Sequence, residues 1–132
     1  MYFKTVMRLW KNGKLPMING LLKSDDTYFS FTDSGLLISS PLRRINAVNI
    51  SDVDSMPPLQ TTIYTIYFGE GSWGSDGWLL FLAERIESCW LLSGNINPIE
   101  NVSVNDGVLR AINNNGVQFL IPLLFPEKLW KM

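Results

Sequence analysis

The chain reads as all-β: an antiparallel meander forming a sandwich or partly open barrel, or α+β if one helix forms near residues 78–92. Three observations predict this class. Turn-forming clusters recur at intervals of about eight to twelve residues, at Asn12-Gly13, Asp33-Ser34-Gly35, Asp106-Gly107 and Asn115-Gly116. Asn-Gly and Asp-Gly supply the positive φ that tight hairpins need. The segments between them are rich in β-branched and aromatic residues and often alternate apolar with polar.

The 132 residues predict one β-rich domain, residues 1–132, with about nine to eleven strands. The first strand is expected from Tyr2 to Trp10, with Phe3, Thr5, Met7 and Leu9 on one face and Lys4 and Arg8 on the other. Asn12-Gly13 then turns the chain into a strand over Leu15 to Leu22, bent at Gly20. Thr27–Thr32, Leu36–Ser40 and Ile45–Ile50 follow, with Phe29 and Phe31 inward. Ser51 to Leu59 is the best internal loop, carrying Asp52, Asp54, Pro57 and Pro58, and is too short for a domain linker. Thr61–Phe68, alternating Thr, Ile and Tyr, is expected to be central in its sheet.

Trp78 to Leu92 fits two templates. As a helix it would be capped by Asp76 and stopped at Gly94, but Leu80, Phe81, Leu91 and Leu92 would then lie on the wet face. Two strands turning at Glu84–Glu87 fit better. The last third predicts a three-stranded meander, Ile99–Val104, Val108–Ile112 and Val117–Ile121, then a short helix over Glu127–Met132. The expected core is Phe3, Met7, Leu9, Phe29, Phe31, Ile63, Ile66, Leu80, Leu82, Val102, Val104, Phe119 and Ile121.

Composition narrows the chemistry. Histidine is absent, which removes Ser-His-Asp and Cys-His arrangements and the usual ligands of catalytic zinc. The net charge is -1, and Arg43-Arg44 is the one adjacent basic pair, so no basic stripe is expected and neither nucleic acid nor an acidic membrane surface is a predicted partner. The single cysteine, Cys89, excludes an internal disulfide framework and, in its apolar run, reads as a buried small hydrophobe. Charges at Lys4, Arg8 and Lys11 interrupt any signal-peptide pattern, and the longest dense apolar run, Trp78 to Ala83, falls far short of the ~18 residues of a membrane span. A cytoplasmic protein is the expectation.

Gly69-Glu70-Gly71-Ser72-Trp73-Gly74 matches the spacing of a dinucleotide fingerprint, but Glu70 would face the pyrophosphate and no βαβ unit surrounds it. It reads as a glycine-rich hairpin loop, and no cofactor is predicted. Asp52 and Asp54 read as a solvated turn rather than a metal site. Glu70, Asp76, Glu84 and Glu87 could form a paired-carboxylate hydrolase site, the least favoured reading.

The sequence thus points to a non-catalytic protein-binding module, a small inhibitor or immunity-type protein that blocks a partner such as a toxin. Charged residues are only 17% of the chain while aromatics reach 12%, which leaves apolar surface for a partner. The predicted contact residues are Glu70, Ser72, Trp73 and Asp76, an aromatic anchor on an acidic loop suited to a basic protein. A carrier with an aromatic-lined cavity is the alternative. Lys4, Arg8, Arg43, Arg44 and Arg110 are the expected guards of edge strands, and an unguarded edge would favour homodimerisation.

Overall fold

The computed structural model describes residues 2–50, 55–71 and 75–132. Among them are one α-helix and thirteen antiparallel strands, arranged in three sheets with no closed barrel. The helix, α1, spans Tyr2–Lys11. The strands are β1 Lys14–Met17, β2 Gly20–Lys23, β3 Tyr28–Phe31, β4 Leu37–Ser39, β5 Asn46–Asn49, β6 Leu59–Gln60, β7 Tyr64–Glu70, β8 Gly77–Ala83, β9 Trp90–Gly94, β10 Ile99–Asn105, β11 Val108–Asn113, β12 Gln118–Pro122 and β13 Trp130–Lys131. The count exceeds the sequence expectation because the Leu15–Leu22 segment divides in two and because β6 and β13 are two-residue pairings.

A seven-stranded sheet, ordered β4-β3-β2-β9-β8-β7-β6, is the middle layer. Leu79 and Phe81 of β8, with Trp90 and Leu92 of β9, face the four-stranded sheet β10-β11-β12-β13 and pack on Leu109, Phe119 and Ile121. The alternate residues Trp78, Leu80 and Leu91 face the other way, onto Phe3 and Val6 of α1 and Leu15 of β1. The β8–β9 hairpin is therefore apolar on both faces, as its unbroken apolar sequence demands. It turns through a 3-10 turn at Ile86–Ser88, and the helical alternative for 78–92 is excluded.

The first element differs from its expectation. Tyr2–Lys11 is helical, because Phe3, Val6, Met7 and Trp10 recur at the three-and-four spacing of one helix face. A period-two reading captures Phe3 and Met7 but misses Val6, which is fully buried. The helix also gathers Lys4, Arg8 and Lys11 along one groove, a basic stripe that the linear sequence conceals. Asn12-Gly13 ends this helix instead of making a hairpin: Gly13 has φ +75° and donates to the Trp10 carbonyl, the left-handed residue that terminates helices as readily as it turns strands. At the other end, Phe3 N–H donates to Asp26 Oδ1 at 2.8 Å, a cap supplied by the β2–β3 turn.

The chain leaves the two-stranded β1-β5 sheet and enters the central one at Ile18-Asn19. There Tyr28 Oη lies 2.6 Å from the Ile18 carbonyl oxygen and donates to it, and the Ile18 N–H donates to the buried Ser93 Oγ at 3.0 Å. Gly20 is obligatory at this crossing, since a Cβ would sit 2.1 Å from the Phe29 carbonyl oxygen.

Other corrections follow from this layering. Thr61–Phe68 is not central; β7 is next to the sheet edge, and the middle position belongs to β9. Thr61 Oγ1 accepts hydrogen bonds from Ile63 and Tyr64, making a turn that leaves Ile63 exposed rather than in the core. Met7, Leu9, Phe29, Phe31, Leu82 and Val104 are half-buried; Phe3, Ile66, Leu80, Val102, Phe119 and Ile121 are buried as expected. Glu127–Met132 is a 3-10 turn followed by β13, not a helix. The expected edge guards lie elsewhere: Lys4 and Arg8 on α1, Arg43 and Arg44 between β4 and β5, and Arg110 on β11, inside its sheet. No described helix is long and apolar enough to cross a membrane.

Leu79→Ala and Leu80→Ala should each lower unfolding stability by about 2–5 kcal/mol in urea titrations, because neighbouring residues on β8 fill different cores. A one-sided sheet would make one of the two changes cheap. Asp26→Ala should cost about 1 kcal/mol or more and accelerate amide exchange in the first turn of α1.

Candidate functional site

The β7–β8 ladder has two ends, and each carries a candidate. One end is the Gly69–Gly77 loop. Glu70 closes β7 opposite Gly77 and is half-buried, and its carbonyl accepts the Trp78 indole N–H at 3.1 Å. Asp76 is half-buried, its carbonyl accepts Gly71 N–H at 2.8 Å, and burial raises its carboxyl above the ordinary range. Ser72 and Trp73, the proposed anchor among them, lie outside the described residues, as do Asp52 and Asp54. The dinucleotide reading has no support here, since an antiparallel strand follows the glycines where a helix is required. Gly77 has a packing reason instead: a Cβ there would meet the Asn97 carbonyl oxygen at 2.1 Å.

The opposite end, six residues along the ladder and thus about 20 Å away, opens into an apolar groove of about 710 Å³. Its first wall is the Tyr64↔Ala83 end of the ladder and the Glu84–Ser88 turn. That turn is locked from behind by Cys89, whose Sγ accepts Ala83 N–H at 3.2 Å. Burial raises the Cys89 thiol, so it behaves as a structural residue.

The second wall is the Asp106-Gly107 hairpin turn and the corner Pro122–Phe125. Trp90 Nε1 donates to the Leu123 carbonyl at 3.1 Å and Gly107 accepts Leu123 N–H at 2.9 Å. With Leu123 fixed inward, Leu124 and Phe125 are turned outward and stay 66% and 54% exposed. Across the mouth Ile63 is 59% exposed. Inside, Tyr64 packs on Phe81 at 5.4 Å between ring centroids, and Phe81 stacks on the buried Trp90 at 5.5 Å.

The rim is acidic in balance. Glu84 and Asp106 line it, while the one lining arginine, Arg85, is bonded at 2.9 Å to Glu87. Glu87 is held below the ordinary carboxylate range by its own backbone N–H and by Arg85. The four acids considered as a hydrolase site are thus divided, Glu70 and Asp76 at one end of the ladder, Glu84 and Glu87 at the other. No group of three acids or thiols placed to hold a metal ion occurs among the described residues.

Sequence reasoning missed the groove because it placed Ile63 in the core and assigned nothing to the segment between Ile121 and Glu127. The available signal was an apolar run, Leu123-Leu124-Phe125, between two prolines, where turn residues would be expected. Asn113, by contrast, belongs to structure: its Oδ1 accepts Asn115 and Val117 N–H, and its Nδ2 donates to Ile96.

Asp76→Asn should raise the melting temperature at neutral pH. A carboxyl with a raised folded-state pKa penalises folding once ionised, so the gain should shrink as pH falls through that range and vanish once aspartate is protonated in both states. Thermal melts of both proteins across acidic to neutral pH check this.

No family model matches the chain, and no curated protein or solved structure matches it either.

Proposed function

We propose that this protein is a non-catalytic, cytoplasmic binding module that grips another protein, in the manner of a small inhibitor or immunity-type protein that neutralises a toxin. The observation that carries the reading is the cluster of Ile63, Leu124 and Phe125, exposed together around one apolar groove. Exposing large apolar side chains side by side has no benefit for a monomer and suits a surface that is covered on binding. The acidic rim complements a basic partner, which would set orientation and on-rate while apolar burial supplies most of the affinity. Glu70, Ser72, Trp73 and Asp76 are a second proposed contact region; Glu70 and Asp76 lie at the far end of the ladder, within the span of a partner of standard interface size, about 800 Å² on each side.

A second reading, a carrier of a small apolar ligand, is favoured by the Tyr64–Phe81–Trp90 aromatic stack and by a volume in the range of small-molecule pockets. The two separate by experiment. Capture of a partner from the native host by the wild-type protein, weakened by roughly 2 kcal/mol or more in Leu124→Asp and Phe125→Ala, would support the protein-binding reading. Weakening in Trp73→Ala alone would move the interface to the loop. An apolar molecule seen by native mass spectrometry, and displaced by Leu124→Asp, would favour the carrier.

A further inference from the structure

We infer that the groove between α1 and the Glu84–Ser88 turn is a docking site for an acidic peptide segment of a partner protein, anchored by an apolar side chain. This groove, about 770 Å³, opens on the face of the central sheet opposite the apolar one, and the inference does not depend on that one's function. Lys4, Arg8 and Lys11 line it in a row, with Met7 and the 58% exposed Ile86 between and beside them.

Three facts distinguish this row from an ordinary solvated helix face. First, none of the three cations is in an ion pair among the described residues, although the whole chain carries a net charge of -1. Of the two acids of the neighbouring turn, Glu87 is already bonded to Arg85 and Glu84 lines the other groove. Secondly, Lys4 sits in the first turn of α1, where the helix dipole disfavours a cation; that turn contains no acidic residue of its own, and the Asp26 carboxylate that caps it accepts the Phe3 N–H. Arg8 and Lys11 gain from the dipole at the C-terminal end, whereas Lys4 does not. Thirdly, the groove has apolar as well as cationic walls, and Ser24, which lines it, has a covered Oγ without a hydrogen-bond partner among the described residues.

Geometry selects the occupant. Lys4 and Lys11 are about 10 Å apart along the helix axis, with Arg8 between them. An extended peptide brings same-face side chains into register about every 6–7 Å, so two acids two residues apart span Lys4 and Arg8, and a neighbouring apolar residue reaches Met7 and Ile86. A bilayer is disfavoured, since Phe3 and Val6, the apolar face that would enter it, are buried against the sheet. Nucleic acid is disfavoured because three cations neutralise too few phosphates for firm binding.

The test uses fluorescence anisotropy with a labelled short peptide alternating Glu and Leu, its Lys-Leu counterpart, a labelled single-stranded oligonucleotide and phosphatidylserine vesicles. The acidic peptide should bind, weaken as salt rises, and lose about tenfold or more in affinity with Lys4→Glu or Arg8→Ala. Lys4→Glu should do so without lowering the melting temperature, since it improves the match to the dipole, and Leu124→Asp should leave peptide affinity unchanged. No binding of the acidic peptide, wild-type affinity in both α1 variants, or tighter binding of the oligonucleotide or the vesicles would overturn the inference.

Discussion

Burial of the central sheet on both faces is the constraint from which the rest of this structure follows. β8 and β9 contain too few polar residues to give either face to water, so the fold must supply two covers. The C-terminal meander is one, and α1 with the β1-β5 pair is the other. A chain with so low a share of charged residues can remain folded because its most apolar hairpin is the most deeply enclosed. The covers carry the polarity: α1 is basic outside, and the outer residues of β10 and β11 include Glu100, Asn101, Ser103 and Arg110.

Covering a sheet from both sides leaves its ends open. At the Tyr64–Ala83 end the Glu84–Ser88 turn projects between the two covers, lining one groove with Arg85 and the other with Ile86. The two grooves differ in character because their outer walls do. A hairpin turn and a proline-bounded corner make one apolar with an acidic rim; a cationic helix face makes the other basic. The same short turn is thus a partition between two chemically distinct surfaces.

What the sequence made legible was local. Asp33-Ser34-Gly35, Asp106-Gly107 and Asn115-Gly116 are turns where expected, with positive φ at Gly35, Gly107 and Gly116, because turn chemistry depends on adjacent residues. The β8–β9 hairpin was legible because a helix would have exposed Leu80 and Leu91. The nature of α1 was not, since Phe3 and Met7 satisfy a strand and a helix alike and its cap, Asp26, lies in a distant turn. Sheet order was equally hidden: β5 pairs with β1 across the intervening β2–β4 segment, a choice set by which face remained uncovered. The grooves were illegible for the same reason, being made where walls from separate parts of the chain meet.

The two buried indoles have a consequence for how the central sheet selects its alignment. In a sheet with one wet face, a strand that slips by one residue puts apolar groups into water and is rejected on polarity alone. Apart from Ser93, whose buried Oγ accepts the Ile18 N–H, β8 and β9 are apolar at the positions facing either core, so a slipped hairpin would stay largely dry on both sides. Trp78 and Trp90 remove that degeneracy. Each has one N–H to satisfy: Trp78, in the core on the α1 side, donates to the Glu70 carbonyl at the end of β7, and Trp90, in the core under the C-terminal meander, donates to the Leu123 carbonyl. A slip by one residue would exchange the faces and strand both donors in an apolar interior, costing about 1–3 kcal/mol for each. The alignment of the most hydrophobic strands is therefore enforced by two polar atoms.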